Sequence, residues 1–266
     1  MKCAHEAPLS VMTTMQEYSD YDYALVHLFE ENEEYYQFFV EAIAKGRHVI
    51  LDNSIFELEE AFDADKFANW IYKLLPTEYI VPDALEDVEK TISQYDNWLS
   101  KYDALPGKKI GVAQGKSEEE FIECYRYMVR NADKVGISFD YSFFETEYGL
   151  EGNKYQRWSK GRQILLKRMV GKGIIDTMKP HHLLGAGLSQ EFAAYSKYDW
   201  IDTIDTSNPV VHGIEGIRYE LQDDGTFGLQ DKCPTKLFTL MDKDISTKQL
   251  VDIIYNVTKF RNNIGL

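Results

Sequence analysis

The sequence predicts a single-domain α/β protein, a (β/α)8 barrel of TIM type spanning residues 1–266. Three observations predict it. Short apolar, β-branched runs alternate with longer amphipathic stretches, the pattern of a parallel sheet whose strands are joined by helices. Seven such runs are readable and the length leaves room for an eighth, which suits a barrel better than a doubly wound sheet. No GxGxxG follows the first strand, as a dinucleotide-binding fold would require.

The elements follow in order. Ala24-Leu25-Val26-His27-Leu28 reads as a strand, and 30–45 as a helix with Phe38, Phe39, Ala42 and Ile43 at helical spacing. His48-Val49-Ile50-Leu51 is the next strand, closed by Asp52-Asn53-Ser54. A helix over 63–75 stops at Pro76, and Glu78-Tyr79-Ile80-Val81 is a strand stopped by Pro82-Asp83. Helix 86–100 leads to the strand Lys109-Ile110-Gly111-Val112-Ala113 and the turn Gln114-Gly115. Ser117, with Glu120 three residues on, has the spacing of a capping box and starts a helix to about 131. Val135-Gly136-Ile137-Ser138 is a fifth strand, and the aromatic, acidic stretch 139–153 reads as a loop. A basic helix over 154–173 follows, then a strand and turn over His182-Leu183-Leu184-Gly185-Ala186-Gly187 and a helix over 189–196. Trp200-Ile201-Asp202-Thr203-Ile204 is the seventh strand. Residues 207–235 read as loops with short strands near Tyr219 or Phe227, and helix 246–261 closes the chain.

Composition bounds the function. Hydrophobic residues make up 44% and aromatics 14%, enough for a packed core and against disorder. The 29 Lys+Arg against 44 Asp+Glu give a net charge of −15, which excludes a uniformly basic nucleic-acid-binding surface. Cys3, Cys124 and Cys233 form no CxxC pair, so neither a disulfide framework nor a cysteine-rich zinc site is expected. The opening MKCAHEAPLS lacks an apolar signal core, and no apolar window is long enough for a membrane span. A cytoplasmic location and no membrane partner are the expectations.

The strand ends carry the chemistry, because a barrel of this type builds its active site there. In order these ends are Asp52, Asp83, Gln114, Ser138, Gly185 to Gly187, and Asp205. Asp52, Asp83 and Gln114 recur at intervals of 31 residues, one strand-helix unit each. Asp and Asn also cap helices, but Pro82-Asp83 and Ala113-Gln114-Gly115 do not look like ordinary caps. A carboxylate accepting from ring N–H and exocyclic NH2, beside an amide that donates and accepts, can read a purine-like edge. Asp52 and Asp205 can form a carboxylate pair for glycosidic chemistry through an oxocarbenium-like transition state.

These stretches resemble the queuine/archaeosine tRNA-guanine transglycosylases, (β/α)8 barrels that exchange guanine for a 7-deazaguanine. Leu51-Asp52-Asn53-Ser54-Ile55-Phe56-Glu57 looks like the family's Asp-Ser-Gly-Gly-Phe-Gln motif, and Val112-Ala113-Gln114-Gly115 like its Val-Gln-Gly-Gly. His182 to Gly187 is similar to the archaeal-type His-Leu-Phe-Gly-Ala-Gly. Asp202-Thr203-Ile204-Asp205-Thr206 is similar to the nucleophile motif. The matches fall in the family's order over roughly 48–210. The resemblance implies Asp205 as the nucleophile on C1′. It implies Asp52 as general acid/base or as holder of the incoming base, with Asp83, Gln114 and Gly115 on the base edge. Ser138 would supply backbone contacts, and Gly185 and Gly187 would let the backbone approach the base closely.

The chain departs from the family after the nucleophile. The tRNA enzymes carry a cysteine-rich zinc subdomain there, whereas Ser207 to Cys233 holds one cysteine. No zinc subdomain, metal or cofactor is expected, and His181, His182 and His212 are assigned to packing. The compact, zinc-less form is more similar to bacteriophage-type enzymes that insert 7-deazaguanines into DNA. Nucleic acid (DNA favoured, tRNA possible) and a free 7-deazaguanine base are the implied partners, with the host cytoplasm as the location for a phage protein. Oligomeric state is left open.

The charge is unevenly spread. Residues 154–179 hold eight basic residues against Asp176 alone, a local +7, and leave a −22 remainder. Lys154, Arg157, Lys160, Arg162 and Arg168 are read as a phosphate-binding stripe, with Trp158 or Tyr155 stacking on a base. The plain alternative is a solvated helix face. The aromatic loop 139–148 reads as a lid, a wedge for a flipped nucleotide, or a plain core or dimer contact. Two other classes compete with the transglycosylase: a nucleosidase or glycosidase acting on small nucleosides, which the −15 charge suits, and a non-catalytic binding protein on a decayed barrel.

Overall fold

A computed structural model describes residues 1–266. The chain opens with β1 (Lys2–His5) and α1 (Leu9–Glu17), then β2 (Asp22–Leu25), α2 (Val26–Glu31) and α3 (Glu33–Ala44). Next come β3 (Val49–Asp52), α4 (Ile55–Leu58), α5 (Ala64–Leu74), β4 (Glu78–Ile80) and α6 (Val88–Tyr102). They lead to β5 (Lys108–Val112), α7 (Glu118–Asn131), β6 (Lys134–Ile137), α8 (Phe143–Glu147) and α9 (Lys154–Gly171). The last part holds β7 (His181–Leu183), a 3₁₀ helix (Ser189–Tyr195), β8 (Ile201–Thr206) and α10 (Asn208–Ile214). A hairpin of β9 (Glu220–Leu221) and β10 (Phe227–Gly228), a second 3₁₀ turn (Leu237–Leu240) and α11 (Thr247–Asn263) complete it.

The first eight strands form one sheet in the order β1-β8-β7-β6-β5-β4-β3-β2. This α/β arrangement, with helices between parallel strands in chain order, is that of a TIM-type barrel. By internal contacts the chain divides into two compact units, Tyr21–Phe143 with Asp176–His182, and Met1–Asp20 with Phe144–Ile175 and Leu183–Leu266.

In the unit built on 21–143, β2 to β6 pair in parallel, with Leu25 opposite Asp52, Leu51 opposite Tyr79 and Ile80 opposite Ile110. The strands are buried throughout their apolar stretches because helices cover them. In α5, Phe67, Ala68, Ile71 and Leu74 recur on one buried face. Side chains of Asp63, Asp87 and Ser117 cap α5, α6 and α7 through the N–H groups of Lys66, Lys90 and Glu120. The return bond of Glu120 goes to Lys116 N, one residue before the cap, so the box foreseen at Ser117 closes one position early. Where β4 and β6 begin, buried Glu78 and Lys134 pair at 2.5 Å, with His48 Nε2 3.7 Å from the same carboxylate.

In the other unit β1 pairs in parallel with β8, placing Ala4 opposite Asp205. Full capping boxes start α9 (Asn153 with Gln156) and α11 (Ser246 with Gln249). Gly161 on α9 lies against Phe144, where a Cβ would come within 2.3 Å of the ring.

Four expectations are corrected and one is completed. Strand hydrogen bonding stops at Leu25, and Val26 starts a buried helical turn; a short apolar run fits a strand or a buried helix equally well. The stretch 139–153 contains α8, and 207–235 contains α10, with Pro209 in its first turn where the missing N–H costs nothing. Residues 189–196 form a 3₁₀ rather than an α-helix. The eighth strand is β1, whose Lys-Cys-Ala-His sequence carries too little alternation to announce itself. No helix is long and apolar enough to cross a membrane.

Candidate active site

The ends of β3, β4 and β5 carry a connected polar row. Asn53 Nδ2 donates to Val81 O at 3.2 Å and to Asp83 Oδ1 at 2.8 Å. Gln114 Nε2 donates to Asp83 Oδ2 at 2.7 Å, and Gln114 Oε1 accepts from Glu86 N at 3.0 Å. Asp83 and Gln114, foreseen side by side on a base edge, are therefore bonded to each other and deeply buried, at 3% and 2% exposure. The Gln114 amide keeps a second N–H for a further partner. Gly115 beside them is required by packing: a Cβ there would come within 2.4 Å of Phe121 N at the start of α7.

Asp52 ends β3 and is buried. Its carboxylate accepts from Tyr23 Oη and, at 2.5 Å, from Ser54 N. Ser54 takes a left-handed backbone (φ 60°), and its Oγ accepts from His27 N. The tight turn folds the strand end back on its own carboxylate. The Tyr23 ring stacks on His182 at 5.6 Å. Asn53, Tyr23 and Glu86 were not singled out from the sequence. Asn53 sits inside the quoted motif, and the Asp-Asn-Ser run at a strand end is the signal that could have found it; Tyr23 has none, because its bond spans 29 residues.

Ser138, at the end of β6, turns to its own loop. Its N–H donates to Tyr141 Oη at 3.0 Å and its Oγ to Asp140 at 2.6 Å, while Tyr141 Oη donates to Ala113 O. The N–H of Ser138 is thus committed, and the aromatic residues Tyr141 and Phe143 of the 139–148 stretch are core. Ser142 N donates to the Glu86 carboxylate, joining this stretch to the residue that holds Gln114.

In the other unit Asp205 lies on β8, 6% exposed, and accepts Gly185 N–H at 3.0 Å on Oδ1 and 3.2 Å on Oδ2. Gly185 has φ +61°, a conformation that costs a glycine little. Gly187 O accepts from Asn208 Nδ2 at 3.3 Å, and Asn208 in turn is held by Tyr219 Oη. His212 is a packing residue, bonding Asn208 O and Cys233 N. No group of three His, Cys, Asp or Glu side chains is arranged to hold a metal ion.

The basic helix α9 is corrected in composition. Arg162 is fully buried and paired with Glu191 at 2.6 Å, so it meets no phosphate. Its place on the helix explains this: Trp158, Arg162, Leu165 and Met169 share one buried face at spacings of three and four. Trp158 is buried too, beneath Lys154 Nζ at 4.1 Å, and is closed to base stacking. Arg157 is half-buried and bonds Glu145 and Gly152 O. Lys154, Lys160, Lys167, Arg168 and Lys172 remain exposed, with Arg168 lying over the Tyr148 ring at 4.6 Å.

Burial pushes the Asp83 carboxyl up to about 6, although hydrogen bonds from Asn53 and Gln114 pull it down. The folded state thus keeps a proton that the unfolded chain, titrating near 3.8, releases. The stability Asp83 contributes is complete below that value and lost as pH rises through about 6. Relative to wild type, Asp83→Asn should gain up to about 3 kcal/mol between pH 4 and 7. The difference is the useful quantity, since buried His5, lowered to about 3, titrates with the opposite sign over the same range. Urea midpoints at four pH values check it; parallel wild-type and variant profiles would show that Asp83 carries no such burial penalty.

No protein-family model and no curated protein matches the chain.

Proposed function

We propose that the protein is a nucleic-acid guanine transglycosylase, with DNA the favoured substrate, working through a covalent aspartyl-glycosyl intermediate. The reading is carried by one observation. Two strand-end carboxylates, Asp52 and Asp205, are each buried and each held by a backbone N–H from a neighbouring turn, Ser54 and Gly185. Buried, oriented carboxylates at the ends of parallel strands are suited to covalent and proton-transfer work at a sugar carbon.

In this mechanism a carboxylate oxygen of Asp205 attacks C1′ of the target guanosine. The C1′–N9 bond breaks with its electron pair going to the base, and Asp52 supplies the proton that the departing guanine takes up. The 7-deazaguanine then binds, Asp52 takes its N9 proton, N9 attacks C1′, and the Asp205 carboxylate is released. Asp83 and Gln114 read the hydrogen-bonding edge of the base, and Asn53 holds Asp83 in place for it. The test is a parallel incubation with single-stranded DNA, duplex DNA and tRNA, scored for a denaturant-stable protein–nucleic-acid complex. No complex with any of the three sinks the reading; a complex with tRNA alone transfers it to tRNA.

The exposed part of α9 supplies the phosphate contacts. Lys160 and Lys167 lie two turns apart on one face, roughly 10 Å along the axis. Exchanging both for Glu should raise KM for the polymer and flatten its log–log salt dependence by about 1.5. Arg168 is spared in this variant because its reversal would disturb Tyr148. An unchanged salt slope would remove α9 from the interface. A second reading, hydrolysis of a small nucleoside, is favoured by the −15 charge and by the loss of Arg162 from the stripe. Sustained base release from free nucleoside without polymer would establish it.

A further inference from the structure

Arg162 is the bulkiest fully buried side chain of the protein. A guanidinium out of water is tolerated only where its charge and N–H groups are matched. Nε donates to Glu191 Oε1 at 2.6 Å, Nη1 to Leu184 O at 2.8 Å and Nη2 to Gly185 O at 2.9 Å. Glu191, equally buried, also accepts from Tyr195 Oη at 2.5 Å, and the Phe192 ring lies 5.2 Å from the guanidinium carbon. Neutralising Glu191 would need one partner; the two remaining arms reach past it to two successive carbonyls.

Those carbonyls matter because of what lies across the peptide. Leu184 C=O and Gly185 N–H belong to one peptide unit, and that N–H is the donor on both oxygens of Asp205. A cation bonded to a peptide oxygen polarises the unit and strengthens its N–H as a donor, since hydrogen bonds in series reinforce each other. Gripping Gly185 O as well holds the left-handed turn that aims this N–H.

The geometry points to the buried Arg162–Glu191 pair as a positioning device for Asp205, acting through the Leu184–Gly185 peptide. The inference rests on Asp205 as the nucleophile. The device orients the carboxylate for attack on C1′, and its donor stabilises the carboxylate that leaves C1′ when the new base enters. Arg162 and Glu191 act on the reacting group through the peptide and have no part in binding the substrate, so kcat should depend on them and KM should not.

The test uses the full chain. Arg162→Met combined with Glu191→Met removes the grip without leaving either charge buried alone. Arg162→Lys keeps the charge but cannot reach three acceptors in a fixed fork. The double variant is expected to unfold cooperatively in urea, to lose about 100-fold in kcat for guanine exchange, and to keep its KM. Arg162→Lys should recover part of kcat. In amide-resolved NMR of the double variant, the Gly185 proton should move upfield and exchange faster. A folded double variant with wild-type kcat overturns the proposal, as does a Gly185 amide that does not change. If the double variant does not fold, Arg162→Lys carries the same two readouts. A wild type that exchanges no base refutes the transglycosylase reading, and the Gly185 amide still decides whether Arg162 controls the donor on Asp205.

Discussion

Asp205→Asn is expected to abolish guanine exchange, lowering the rate by at least about 10⁴-fold, and to give no denaturant-stable complex with nucleic acid. The amide cannot form the glycosyl ester, yet it preserves the fold. Its Oδ1 can still accept Gly185 N–H, which now bonds both carboxylate oxygens at 3.0 and 3.2 Å. The change is nearly isosteric, and the Gly185 N–H keeps an acceptor in the buried end of β8. Exchange of labelled guanine and gel mobility after denaturation measure the two effects. Normal turnover in a folded Asp205→Asn protein would take the nucleophile role from this residue and, with it, the covalent mechanism.

Lys134→Met is expected to give the largest loss of stability, about 3–5 kcal/mol. Lys134 is 1% exposed and lies 2.5 Å from the buried Glu78 carboxylate. Burial alone would push that carboxyl up; His48 and Lys134 outweigh it and hold it at about 2. Its folded value is depressed below the ordinary 4.5, so this stability is present above that pH and lost as pH falls toward about 2. Removing the lysine leaves a buried carboxylate without its cation at 2.5 Å, with His48 Nε2 3.7 Å away. Removing both, in a Lys134→Met/Glu78→Met protein, should restore most of the loss, since apolar groups of similar volume replace a pair whose attraction was spent on desolvation. Urea midpoints at constant m-value measure both. Equal midpoints for the single variant and wild type would mean that the pair is solvated and contributes nothing.

The contrast between these two sites shows what could be read from the chain. Asp52, Asp83, Gln114 and Asp205 were legible because each follows a short apolar run, and a strand end is a local event. The caps Asp63, Asp87 and Ser117 were legible for the same reason, since a cap bonds a backbone N–H three residues away. Glu78 and Lys134 were not: 56 residues separate them, and nothing near either marks it as half of a buried pair. Arg162 lies between these cases. Its one-sided charge neighbourhood read as a solvated stripe, while its spacing from Trp158, Leu165 and Met169 already placed it on the apolar face of the helix.

By itself the sequence determined the alternation of strand and helix, the helix starts and the polar residues at strand ends, all set by contacts within a few residues of chain. Only the tertiary structure decided which charges are matched inside. Burying an arginine or a carboxylate depends on partners that the fold brings from far along the chain: Glu191 and the Leu184–Gly185 peptide for Arg162, Lys134 for Glu78, Tyr23 for Asp52. The cost of desolvating a charge is met by geometry at the other end of a long loop, and local spacing carries no record of it.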